Sequence, residues 1–137
     1  MSTAPLSVGS HEFILRRVHK NHYDASQPFP TQPAAFRPSP SDTAGLSVYR
    51  ESLISPVEVA ATGRRPGDYY VVRLSVQTLH ALNLSVIPDE LTDGPRGHAL
   101  IPELSVTAYQ QNKQGLKGVL TELARLASQA VVYTPTQ

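Results

Sequence analysis

The 137-residue chain has no cysteine and no tryptophan, and its 12 Lys plus Arg nearly cancel its 11 Asp plus Glu. Without cysteine there are no disulfides, thiolate metal sites, iron–sulfur clusters or thiol nucleophiles. Any chemistry must rest on His, Ser, Tyr, Arg or carboxylate. A net charge of +1 lacks the overall basic footprint of a dedicated nucleic-acid binder, so no bulk nucleic-acid partner is expected. No apolar run approaches the roughly 20 residues that cross a bilayer, so no membrane role is expected either. Met1–Ser10 has neither the basic start nor the apolar stretch of a secretory signal. With no address motif, the expectation is a soluble cytoplasmic protein of bacterial type.

What the chain has is proline, and it is concentrated. Five of the 12 prolines fall between Pro28 and Pro40. Proline lacks the amide donor and restricts the residue before it, so this stretch reads as extended coil. Phe29 and Phe36 mark it as an ordered loop pinned by aromatic side chains. A proline-rich ligand for another protein's groove is the alternative.

Length and patterning predict one α+β domain over residues 12–132, with a disordered leader at 1–11 and a frayed tail at 133–137. Strands are predicted at 12–19, 45–50, 69–76, 84–87 and 98–104, the last bent at Pro102. Alternation places Ile14, Arg16 and Val18 on one face of the first strand, and Leu15, Arg17 and His19 on the other. Ser55-Pro56-Val57-Glu58 combines an N-cap, a first-turn proline and a capping-box glutamate, which predicts a short helix over 56–62. A second short helix is read over 77–83. Leu116, Val119, Leu120, Leu123, Ala127 and Ala130 recur at helical spacing, predicting a longer helix over 107–130 that Gly115 and Gly118 weaken. These elements favour a mixed or mainly antiparallel sheet with a short central helix and a longer C-terminal one.

The five histidines are the first chemical candidates, because imidazole titrates near neutrality and binds metals. His19 and His22 form an H-x-x-H near His11, but on a strand-to-loop segment that spacing does not converge the rings, so no metal site is expected. His80 reads as a surface or packing residue. His98 opens a strand after a Gly-Pro-Arg-Gly turn and His19 closes one, so neighbouring strands would bring both rings to one cleft. Ser47 lacks the Gly-x-Ser-x-Gly elbow of many hydrolases. Asp42, Glu51, Glu58 and Glu103 are the carboxylates available for paired acid–base work, with Glu58 already explained by capping. Arg16-Arg17 and Arg64-Arg65 read first as strand and turn charges.

Four blocks resemble a family of small bacterial proteins: Leu15-Arg16-Arg17-Val18-His19, Phe36-Arg37-Pro38-Ser39-Pro40-Ser41-Asp42, Leu46-Ser47-Val48-Tyr49 and His98-Ala99-Leu100-Ile101. The resemblance spans about residues 13–104, departs at Arg50-Glu51 where Asp-Gly is usual, and carries no activity with it. It implies that His19, Asp42, Ser47, Tyr49 and His98 belong together; Arg17 and Arg37 are further ligand-binding candidates. The element order is also similar to ADP-ribosyltransferase-like domains, including the RES and DarT-type toxins. That similarity implies an NAD or nucleotide cleft with His19 on the ribose, Tyr49 on the nicotinamide and His98 or Glu103 near the reacting bond; NAD is expected only on this reading. The primary expectation is a non-catalytic regulatory or protein-interaction module without a cofactor, working with a neighbouring gene product. Its interface would lie at the proline-rich loop, at Arg64-Arg65, or at the C-terminal helix, where a homodimer is also expected.

Overall fold

The computed structural model describes residues 7–135. The fold is α+β, as the patterning predicts. Six strands, β1 (Phe13–His19), β2 (Leu46–Arg50), β3 (Tyr69–Ser75), β4 (Ile87–Pro88), β5 (His98–Ile101) and β6 (Val131–Tyr133), form one sheet. Its order is β4-β5-β2-β1-β3-β6, and every pairing is antiparallel. Among the described residues four α-helices accompany it: α1 (Pro56–Ala61), α2 (Val76–Ala81), α3 (Val106–Gln111) and α4 (Lys113–Ser128).

The alternation of β1 decides what each face packs against. Ile14 and Val18 share a buried core with Leu46, Val48, Val72 and Leu74, covered by Leu116, Leu120, Leu123 and Ala127 of α4 and by Phe36. Each such aliphatic side chain contributes about 1.5–3 kcal/mol on full burial. The opposite face carries a smaller core in which Leu15, Tyr49 and Val71 meet Ile54 and Val59 and Ala60 of α1. The long helix thus buries its apolar stripe within its own chain. Among the described residues no helix is long and apolar enough to cross a membrane.

Local chemistry explains most element ends. Both halves of the α1 capping box form: Ser55 Oγ accepts from the Glu58 amide at 3.2 Å, and Glu58 Oε1 accepts from the Ser55 amide at 3.0 Å. Asn83 ends the α2 turn at φ 63°, a left-handed conformation that asparagine tolerates. Pro88 sits on the edge strand β4, where its missing donor is harmless.

The structure corrects several sequence boundaries. The helix predicted over 107–130 is two helices, because Asn112 leaves helical geometry at φ −146° and ψ 43°. Residues 131–133 turn back as β6, pairing Val131 with Val72 and Tyr133 with Val71, so Tyr133 belongs to the sheet rather than to the tail. The strand read over 84–87 narrows to Ile87–Pro88, and Pro102 starts a 3₁₀ turn over Pro102–Leu104. Of the leader, residues 1–6 lie outside the described residues. Val8 packs against the larger core and the Ser7 carbonyl accepts from Arg50 Nη2 at 3.2 Å. Phe36 pins the proline-rich segment as expected, whereas Phe29 remains 47% exposed; Ala35 and Thr31 are further anchors, both buried.

Candidate functional site

Strands β2 and β5, with the residue that follows β4, bring a serine, a histidine and an aspartate together on the sheet face that carries α1. Register sets the arrangement. His98 lies opposite Tyr49, and Leu100 lies opposite Ser47, so His98 and Ser47 are diagonal neighbours on one face. The β4–β5 pairing, Pro88 with Ala99, continues through a hydrogen bond from the Asp89 amide to the His98 carbonyl at 2.9 Å. Asp89 therefore flanks His98 on the far side from Ser47.

The contacts define the ring's state. His98 Nε2 is 3.1 Å from Ser47 Oγ. Its Nδ1 is 3.0 Å from the Asp89 carbonyl oxygen and 3.2 Å from Asp89 Oδ2. Oxygens of both kinds only accept, so Nδ1 of the neutral ring carries the hydrogen and Nε2 is left to accept from the Ser47 hydroxyl. The ring is 7% exposed and meets Tyr49 edge-on at 5.3 Å between centroids. Gly97 aims this strand start: its φ of +86° suits glycine, and the Glu90 carboxylate accepts from its amide. Outward along β4, Ile87 is 48% exposed, so this end of the face is open.

The other histidine candidate belongs to a separate group. His19 Nδ1 accepts from the Asn21 amide at 3.1 Å, Nε2 is 3.9 Å from Asp68, and the ring meets Tyr69 edge-on at 5.3 Å. Arg17 stacks over the Tyr69 ring at 5.0 Å and donates to the Thr62 hydroxyl. Among the described residues no hydrogen-bond, ion-pair or ring partner is common to His19 and His98. The structure thus brings Ser47, Tyr49 and His98 together and sets His19 and Arg17 apart, around Tyr69.

Asp42 is occupied locally. Its carboxylate accepts from the Ser39 amide at 2.7 Å and from the Ser39 hydroxyl at 3.1 Å, and its carbonyl accepts from the Val106 amide at 2.9 Å. Other carboxylates weighed from sequence are also engaged: Glu103 holds the Ser85 amide and hydroxyl, and Glu51 pairs with Arg73. His22 lies near Arg16 and Arg37; burial first, then the nearby His19 and those two cations, hold its pKa below the usual imidazole value. Among the described residues no group of three or more His, Asp or Glu side chains is placed to hold a metal.

Arg37 stands at a second concave surface, on the opposite side of the sheet. With Lys113 and Lys117 it lines a cavity of about 590 Å³ between the proline-rich segment and α4, alongside Tyr109, Pro33 and Leu120. No carboxylate lines it, and none of the three cations has an ion pair among the described residues. A neighbouring cavity of about 250 Å³ shares Pro33 and Thr121 and reaches the exposed Phe29, so the two continue as one groove along α4.

Sequence reasoning did not single out Asp89, Lys113, Lys117 or Tyr109. Asp89 was legible only as part of an exposed turn, and its role comes from the hairpin register. The two lysines sit one helical turn apart, a spacing that puts both on one side of a helix, but nothing local indicates that Arg37 faces them. Comparison with family models, with curated proteins and with solved structures gave no match. The chemistry of both surfaces therefore rests on their own atoms.

Proposed function

We propose that the chain is a protein-interaction module that seats an acidic segment of a partner protein in the groove between the proline-rich segment and α4. The observation that supports this reading is the convergence of Arg37, Lys113 and Lys117 on one cavity of about 590 Å³ with no carboxylate in its lining. Like charges brought together on a folded surface repel, and a complementary anion relieves that cost while steering its own approach. Tyr109, Leu120 and Pro33 supply apolar surface beneath the cations, and Phe29 extends it at the far end of the groove. That combination suits a peptide alternating carboxylates with apolar side chains, which the cavity's size accommodates.

Fluorescence anisotropy with a labelled peptide of alternating Glu and Leu tests this. Substituting Arg37→Ala together with Lys117→Ala is expected to weaken binding about tenfold or more, since each 1.4 kcal/mol is a factor of ten. The pair Arg64→Ala and Arg65→Ala removes the same charge from an exposed turn and is expected to leave affinity within about twofold. Equal losses from both pairs, or no binding by the parent chain at millimolar peptide, would sink the proposal.

A further inference from the structure

A second, independent property is carried by the open sheet face. We infer that Ser47 is a nucleophilic serine, activated by His98 and oriented through Asp89, that reacts with small activated esters. A nucleophilic serine requires a base within hydrogen-bond reach, and that base must be held in the tautomer whose free nitrogen faces the hydroxyl. Both conditions are met. Ser47 Oγ and His98 Nε2 are 3.1 Å apart, and Nδ1 is held by two oxygens of Asp89 at 3.0 and 3.2 Å. The Tyr49 ring and the paired strands fix the imidazole, which is 7% exposed, while Ser47 itself keeps partial access to solvent. Such a constellation is recognised by geometry and not by chain order or an elbow motif, and here it is built from β2, β5 and the residue that follows β4.

The step balances without a cofactor. The Ser47 hydroxyl proton passes to His98 Nε2 as Oγ bonds to the ester carbonyl carbon. The carbon–oxygen bond to the leaving group then breaks, and that oxygen takes the proton from His98. Water, deprotonated by the same nitrogen, cleaves the acyl-serine to release the acid and restore the hydroxyl. Asp89 is a positioning residue: its carboxylate and carbonyl hold the imidazole Nδ1, on the far side of the ring from the Ser47 hydroxyl. Its backbone carbonyl shares that task, so loss of the carboxylate alone leaves part of the orientation in place.

The whole chain, incubated with a fluorophosphonate and separately with p-nitrophenyl acetate, is analysed by intact mass and by mapping the modified residue. A single adduct at Ser47 is expected, absent in Ser47→Ala. His98→Asn is expected to slow its formation by about a hundredfold or more, the scale of general-base assistance. Because His98 is buried, Asp89→Asn is measured as well: its side chain is 48% exposed, so the fold tolerates the change, and a loss of about tenfold is expected from weakened imidazole orientation. Circular dichroism establishes folding in each variant. Absence of any adduct at Ser47 overturns the inference. So does an adduct that forms at the parent rate in both folded His98→Asn and Asp89→Asn.

Discussion

The Arg16 side chain reaches the backbone carbonyl of Ser47, with Nη1 donating at 2.7 Å, and so bridges two strands that have stopped pairing. The β1–β2 register runs from Ile14–Arg50 to Leu15–Tyr49 and ends there, although β1 continues to His19 and β2 begins at Leu46. Arg16 fills the opening: Nη1 donates to Ser47 and Nε donates to the Ala35 carbonyl at 2.9 Å. One guanidinium thereby ties β1, the strand bearing Ser47 and the proline-rich segment together. Burial pushes its pKa down to about 10, opposed by the Asp42 carboxylate.

Removing that side chain leaves two carbonyls without their charged donor. Arg16→Ala is expected to cost about 2–4 kcal/mol, the range for lost charge-assisted bonds with unsatisfied partners left behind. Arg16→Lys is expected to recover part of this, since one ammonium cannot span both acceptors with the same fork. Urea denaturation of the three proteins checks the order; equal stability of the parent chain and Arg16→Ala would remove the strand-bridging role.

A second arginine, this one buried, makes stability depend on acid. Arg50, 1% exposed, is gripped by Glu12, with Nε donating to Oε1 at 2.9 Å and Nη2 to Oε2 at 2.7 Å. The hydrogen bonds from Arg50 outweigh burial and hold the Glu12 carboxyl below its ordinary value of 4.5. A carboxylate depressed in the folded state contributes stability that is fully present above pH 4.5 and lost as pH falls through its lower folded value. Glu12→Gln is therefore expected to lose about 2–3 kcal/mol at pH 7. It is also expected to show a shallower decline in stability below pH 4.5 than the parent chain. Parallel pH slopes in denaturation series would rule out this linkage.

One buried hydroxyl works the other way. Thr31 is fully buried, and its Oγ1 has no hydrogen-bond partner among the described residues. Its backbone is satisfied separately: the amide donates to Ser128 Oγ at 2.9 Å, and an isolated bridge pairs Thr31 with Tyr23. Thr31→Val keeps the shape and deletes the orphan polar atom, so it is expected to stabilise the chain by about 1 kcal/mol. A thermal midpoint that falls in this variant would show that the hydroxyl is satisfied in solution.

Local signals in the sequence were enough wherever a residue's own neighbours set the outcome. The capping box fixed the start of α1, Asn83 ended α2, and the alternation of Ile14, Leu15 and Val18 divided β1 between two faces. Interrupted patterns were harder. Gly115 and Gly118 signalled a weak helix, yet the break falls at Asn112, where the chain leaves helical dihedrals and restarts. The edge strand β6 has only three residues and no flanking turn motif; it exists because β3 offers it a free edge.

The candidate residues divide along the same line. Amino-acid identity alone excluded thiol chemistry and made His, Ser, Tyr, Arg and carboxylate the groups to weigh. The resemblance of the motif blocks pointed to Ser47, Tyr49 and His98, which share a face, and to His19, which gathers instead with Arg17 around Tyr69. Pairing across strands decided the rest. Register is a long-range property: Asp89 meets His98 because β4 and β5 form a hairpin, and His98 meets Ser47 because β5 lies against β2. In the same way, docking of the proline-rich segment on α4 brings Arg37 to Lys113 and Lys117, residues far apart in sequence whose convergence no local pattern encodes.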